Sequence, residues 1–217
     1  MYNYLGKKPN GVDSVKYIII AVVAAIVIIT VAIVISLAQS GKSERGGIFE
    51  SPEKRAGRNG EKYATHVIKQ CLDSDDLLLT NVCVQFEGKR TELDNLIINR
   101  SGVYIIEVKT YRGRLFGGAD DYEWEKYKVT DAGNVYEKTV KNPIKQVHRQ
   151  IYVLANYLKS RGIKVWVNGY AFLVYNNSPV QSETVLESKN DIYSALHPVG
   201  KSCLSSAQIK KIKDLLD

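Results

Sequence analysis

Residues 17–38 (YIIIAVVAAIVIITVAIVISLA) carry no charge over 22 positions. A helix of that length spans roughly 33 Å, the hydrocarbon thickness of a bilayer. Its many β-branched residues are poor helix formers in water, but lipid forces the backbone to bond to itself. The segment is therefore expected to be a single transmembrane helix. The rival is a cleaved signal peptide ending at Ser36-Leu37-Ala38, but the apolar run is longer than such peptides use. Lys7, Lys8 and Lys16 precede the segment, and Lys42, Arg45, Lys54, Arg55 and Arg58 follow it. Three cations against five favour a cytoplasmic C-terminal domain at the cell membrane.

That segment divides the chain. Residues 1–16 read as a polar tail, 17–38 as the anchor, and 39–56, rich in Gly, Ser and charge, as a linker. Residues 57–217 are long enough for one domain with its own core. The 217 residues include three cysteines, Cys71, Cys83 and Cys203, an odd number without metal-type spacing. A disulfide scaffold and a zinc ribbon are excluded on that count, and a reducing compartment is expected. A net charge of +7 suits nucleic acid or an anionic membrane surface as a partner.

Within the domain, Ala64, Val67, Ile68, Cys71 and Leu72 form a helical stripe that begins near Asn59–Gly60. Strands are expected over 77–86, 92–99 and 103–110, with a turn at Arg100-Ser101-Gly102, and further hairpins over 112–129. Asn142-Pro143 opens a second helix, with Ile144, Val147, Ile151, Leu154 and Leu158 on its apolar side. Residues 165–175 read as a strand, and Ser205 with Gln208 as a capping box for a last helix. The order of helix, strands, helix, strand, helix predicts a mixed α/β sandwich.

Chemistry concentrates in TELDNLIINRSGVYIIEVKT, residues 91–110. Strand alternation sets Val103, Ile105, Glu107 and Lys109 on one face, and Asp94 on the face of Leu96 and Ile98. A short turn brings Asp94 near Glu107. Two carboxylates and an ammonium at the end of apolar strands are costly unless they serve each other or an ion. The grouping suits phosphodiester hydrolysis assisted by Mg²⁺ or Mn²⁺. Asp94, Glu107 and the Val108 carbonyl would be ligands, and Lys109 would orient or deprotonate a water or hold a phosphate oxygen. Glu61, at the tip of the first helix's buried stripe, is a further candidate ligand, and Gln146 a neutral donor to phosphate or water.

Four motifs occur in order: G-x-x-G-E at 57–61, E-L-D-N-L-I-I at 92–98, G-V-Y-I-I-E-V-K at 102–109 and N-P-x-x-Q at 142–146. Together they resemble the NERD, or nuclease-related, domain of the restriction-endonuclease-like PD-(D/E)XK superfamily. The resemblance implies a central mixed sheet flanked by helices and a site of Asp94, Glu107 and Lys109, supported by Glu61 and Gln146. It implies a membrane-anchored, metal-dependent nuclease, with DNA the expected polymer ahead of RNA. Leu93 stands where the superfamily has a proline, a difference common among NERD domains. The alternatives are a nucleic-acid-binding module that does not cut, and a membrane scaffold.

Other residues are given structural readings. His66, His148 and His197 have no ligand spacing with one another or with cysteine, and Cys71 is assigned to the core. Tyr111, Tyr122, Trp124 and Tyr127, beside Arg112, Arg114, Lys126 and Lys128, are candidates for stacking on bases, with packing as the plainer role.

Overall fold

A computed structural model describes residue 22, residues 52–129, residues 133–200 and residues 204–217. The expected tail, the expected anchor apart from residue 22, and most of the linker lie outside the described residues. Among the described residues no helix is long and apolar enough to cross a membrane.

The first helix, α1 (Pro52–Lys69), starts seven residues ahead of the expected Asn59–Gly60 and takes in the end of the expected linker. Three strands follow, β1 (Leu77–Phe86), β2 (Lys89–Asn99) and β3 (Gly102–Lys109), joined as antiparallel neighbours. A second, three-stranded antiparallel sheet comes next: β4 (Arg114–Phe116), β5 (Glu123–Val129) and β6 (Val135–Lys141). The chain re-enters the main layer through α2 (Pro143–Ser160) and β7 (Val167–Leu173), which runs parallel to β3. A parallel neighbour requires such a crossover. The two-residue β8 (Val185–Leu186), α3 (Lys189–Leu196) and α4 (Ser206–Leu216) complete the domain. The main sheet has the order β1-β2-β3-β7-β8. The result is the expected mixed α/β fold, a central mixed sheet flanked by helices. The expectation missed β6, β8, α3 and the separateness of the small sheet.

Each face of the sheet is sealed by two helices. Leu96, Ile98, Val103 and Ile105 pack under α2 and α4 through Val153, Leu154 and Ile212. Ile97, Tyr104, Ile106 and Val108 pack under α1 and α3 through Ala64, Ile68, Ile192 and Leu196. Cys71 is buried in this second layer, as expected.

Alternation breaks at one place. Leu93 and Leu96, three apart, lie in the same core layer, and so do Leu79 and Val82 on β1. The register is constant, with Thr80 opposite Asn95 and Val82 opposite Leu93, so both strands kink together between these pairs. Asn81 makes the turn on β1 with φ of 56°. Asp94 therefore does not share a face with Leu96 and Ile98. Leu93 takes that position, because the one-residue phase change swaps the faces.

Helix α2 is fixed at its start by Asn142. The Asn142 side chain accepts the Ile144 amide at 2.9 Å and donates to the carbonyls of Ala119 and Asp121 at 3.0 and 2.7 Å. Trp124, Val140 and Leu115 of the small sheet pack on Ile144 and Leu173 beside this cap. Farther along, α2 lies close on β7. A Cβ at Gly169 would stand 2.7 Å from Val147 Cγ1 and 2.9 Å from Ile151 Cδ1. Gly169→Ala is expected to destabilise the domain by about 1–3 kcal/mol through overpacking, read by urea denaturation. Unchanged stability would mean that α2 sits farther from β7 than described.

Candidate active site

Pairing of β2 with β3 ends at Asn95 and Ile106. Beyond that point the kink carries β2 away, and side chains take over from backbone. Asp94 Oδ2 accepts the Val108 amide at 2.9 Å, and Asn95 Nδ2 reaches the Ile106 carbonyl at 3.5 Å. A strand residue directs its amide and carbonyl to the same neighbour. The Val108 carbonyl is thus on the Asp94 side as well. Lys109, one residue on, directs its carbonyl the other way, to the Val174 amide at 3.1 Å.

Glu107 extends from β3 to the opposite side of the layer, under α2. It is 3% exposed. Its Oε1 accepts from Lys109 Nζ and Gln146 Nε2, each at 2.6 Å, and its Oε2 accepts from Gln150 Nε2 at 2.6 Å. Three donors compensate the loss of water around this carboxylate. The sequence reading missed Gln150. Its signal was there: it follows Gln146 by four residues, one helical turn, on the same side of α2. Gln150 Nε2 also donates to the Glu92 carbonyl at 3.0 Å, while its buried Oε1 has no partner.

Glu61 reaches the site from α1. Gly60 permits this, since a methyl group there would overlap Thr110 Cγ2 just past β3. One turn along, Thr65 Oγ1 donates to Asn95 Oδ1 at 3.0 Å and ties α1 to the kink. Glu61, Thr65, Thr80, Asn81, Asp94 and Asn95 line one cleft of about 530 Å³. Asn95, inside the E-L-D-N motif, has no role that its sequence context shows; its contacts with Thr65 and Ile106 supply one.

The electrostatics set the two carboxylates apart. Burial, and next the nearby Glu107 carboxylate, push Asp94 up to about 7 against the relief given by the Val108 amide and Lys109. Lys109 is pulled down by burial, but Glu107 and Tyr111 outweigh this and leave its pKa raised. Lys109 therefore stays an ammonium at neutral pH. Of the three roles expected for it, orienting a water and holding a phosphate oxygen suit an ammonium, and deprotonating a water does not.

All five expected side chains thus border one region. Asp94, Glu107 and Lys109 interact, Gln146 holds Glu107, and Glu61 faces Asp94 across the cleft. Among the stacking candidates, Trp124 is fully buried and donates to the Gly118 carbonyl. Tyr127 donates to Glu137 at 2.9 Å and Tyr111 to the Lys141 carbonyl at 3.1 Å, while Tyr122 is 86% exposed. His148 is exposed on α2, as expected.

A second polar group lies at the other end of β2. Ligand atoms of Asp73, Asp76 and His197 fall within 4.8 Å of one another, a set chemically suited to a metal. Histidine and cysteine spacing does not reveal it, because its other two members are aspartates. The carboxylates sit at different ring nitrogens, Asp73 3.5 Å from Nδ1 and Asp76 3.5 Å from Nε2. Nε2 is also 2.9 Å from the Cys71 carbonyl. The ring thus joins the end of α1 to the end of α3, near Asn99, whose side chain donates to the Leu196 carbonyl.

The Asp94 environment gives a stability prediction with a definite sign. Its folded pKa is raised above the ordinary 3.8, so its contribution is intact below about pH 4 and is lost as pH rises to about 7. Asp94→Asn keeps an acceptor for the Val108 amide and removes the charge. The variant is expected to match the parent at pH 4 and to exceed it by about 1–3 kcal/mol at pH 8 without divalent ions, at 1.36 kcal/mol per unit discounted for partial exposure. Denaturation at both pH values decides this, and a parent more stable than the variant at pH 8 contradicts it.

Comparison with known proteins places this geometry in context. The NERD, or nuclease-related domain, family matches residues 56–174, from α1 to the end of β7. A Bacillus anthracis protein described as uncharacterized is 27% identical over 101 residues, covering 45% of this chain and 44% of the relative. The chain thus spans less than half the length of that relative. No solved structure matches. With more than half of its length matched, the chain belongs to the NERD, nuclease-related domain, family.

Proposed function

We propose that the domain is a metal-dependent nuclease of the PD-(D/E)XK, restriction-endonuclease-like type. The observation that carries this reading is that Asp94, on the α1 side, and Glu107, under α2, meet the layer where β2 leaves β3, near enough for Glu107 to raise the proton affinity of Asp94. Two carboxylates so close raise the proton affinity of Asp94, and a cation between them removes that cost. The donor set fits a hard divalent ion. Asp94 Oδ1 makes no hydrogen bond with a described residue, Glu107 Oε2 accepts only one, and the Val108 carbonyl is directed to the same side. Mg²⁺ or Mn²⁺ is the expected ion, and when bound it supplies charge for the scissile phosphate and makes water more acidic.

The chain's own groups have distinct roles in this reading. Gln146 and Gln150 fix both oxygens of Glu107, so its free lone pair keeps one direction. Lys109, held as an ammonium by Glu107, donates to a phosphate oxygen or to the attacking water. Glu61 faces the cleft from α1 and orients water beside Asp94. Nucleic acid is the substrate class that a nuclease-related domain implies. DNA is our expected polymer.

We further propose that residues 17–38 anchor the chain in the cell membrane with the nuclease-related domain in the cytoplasm. The support is the length of the uncharged run and the excess of cations on its C-terminal side.

Asp94→Ala and Glu107→Ala are each expected to lower cutting of a labelled oligonucleotide in Mn²⁺ by at least about 10³-fold, and EDTA to abolish it. Lys109→Met is expected to lose about 10²–10³-fold, as for removal of one charge-stabilising donor. Cutting by Asp94→Ala at the parent rate would dispose of the site.

A further inference from the structure

The cleft that holds Asp94 has a basic wall. Arg58, Lys62, His66 and Lys69 recur along α1 at intervals of four, four and three, and line the same cleft as Glu61 and Asp94. These positions fall on one edge of the helix, beside the buried stripe of Ala64 and Ile68. All four are exposed. The row from Arg58 to Lys69 is about 16 Å long at the helical rise.

Several lysines elsewhere on the domain have side-chain partners. Lys145 meets Asp120, Lys213 meets Asp217, and Lys189 donates to Gln70. Lys62 and Lys69 have no ion pair with any described residue. The facing wall is neutral and polar, with Thr80, Asn81 and Asn95. A basic edge on which Lys62 and Lys69 have no ion pair among the described residues, opposite neutral hydrogen-bonding groups and beside Asp94, suits a chain of phosphates with sugars and bases between the walls.

We propose that the Lys62–Lys69 edge of α1 is a rail for a nucleic-acid strand, whose phosphates lie along the helix as the strand enters the cleft at Asp94. This rests on the reading that the site acts on nucleic acid, and adds the path of the strand. Anionic lipid headgroups are the rival polyanion. A concave cleft favours a flexible strand, because a bilayer surface cannot follow it inward.

The test uses the full-length chain in phosphatidylcholine nanodiscs, with EDTA present so that nothing is cut. Binding of fluorescein-labelled dT20 is followed by anisotropy from 50 to 250 mM KCl. The parent should bind with an affinity that falls with salt. Lys62→Ala/Lys69→Ala should weaken binding about 10-fold at the low-salt end and reduce the log–log salt slope by about 1.4, the value for two lost phosphate contacts on a single strand. Lys62→Arg/Lys69→Arg should retain both affinity and slope. An unchanged affinity and slope in the alanine variant, or no salt-dependent binding by the parent, overturns the proposal. So does unchanged strand binding with lost docking of the same nanodiscs onto phosphatidylglycerol vesicles, which would give the row to headgroups. A parent that binds through these lysines but does not cut in Mn²⁺ removes the nuclease reading and leaves the rail intact.

Discussion

The site depends on the parting of β2 from β3 after the Asn95–Ile106 pair. Had the ladder continued, the Val108 amide and carbonyl would have been used up by backbone. Because it stops, Asp94 caps the amide, the carbonyl is left on the same side, and Glu107 lies one residue away. Such an arrangement opposes folding on its own terms, since buried like charges raise each other's energy. The fold holds it in place from outside: Asn81 bends the neighbouring strand, Thr65 ties α1 to Asn95, and Gln146 and Gln150 grip Glu107 from α2. Local conflict maintained by the surrounding structure is what is expected of functional sites.

Much of this was legible in the sequence, and the exceptions have physical causes. The apolar stripes of α1 and α2 and the period-two pattern of β3 report burial directly, so the helices, strands and face assignments followed from them. Asn142-Pro143 and Ser205 with Gln208 report caps, which are local, and both caps form as read. Asp94 was identified by type and neighbourhood, yet its face was misassigned. The kink that reverses the alternation is shared by both strands, and the Asn81 turn that sets it lies on the partner strand, outside β2. The start of α1 was misplaced because Gly57 and Gly60 look like breakers. Gly60 instead serves a close approach to Thr110, a tertiary reason hidden from local reading.

Gln150 and the Asp73, Asp76, His197 group show another limit. Gln150 follows Gln146 by one turn, so its partnership with Glu107 could be anticipated once the first glutamine had been placed. The histidine group could not. His197 lies more than a hundred residues from Asp73 and Asp76, and they meet only because α1 and α3 end beside the same strand. The small sheet β4–β6 escaped as a unit for a related reason. Its one buried row, Trp124 with Val140 and Leu115, packs against the cap of α2 rather than against its own neighbours in sequence.

The most direct test of the central claim is anomalous diffraction from a crystal soaked in Mn²⁺. The account predicts a peak bounded by Asp94 Oδ1, Glu107 Oε2 and the Val108 carbonyl. A crystal that shows no peak there, or in which manganese is found only beside His197, would contradict it.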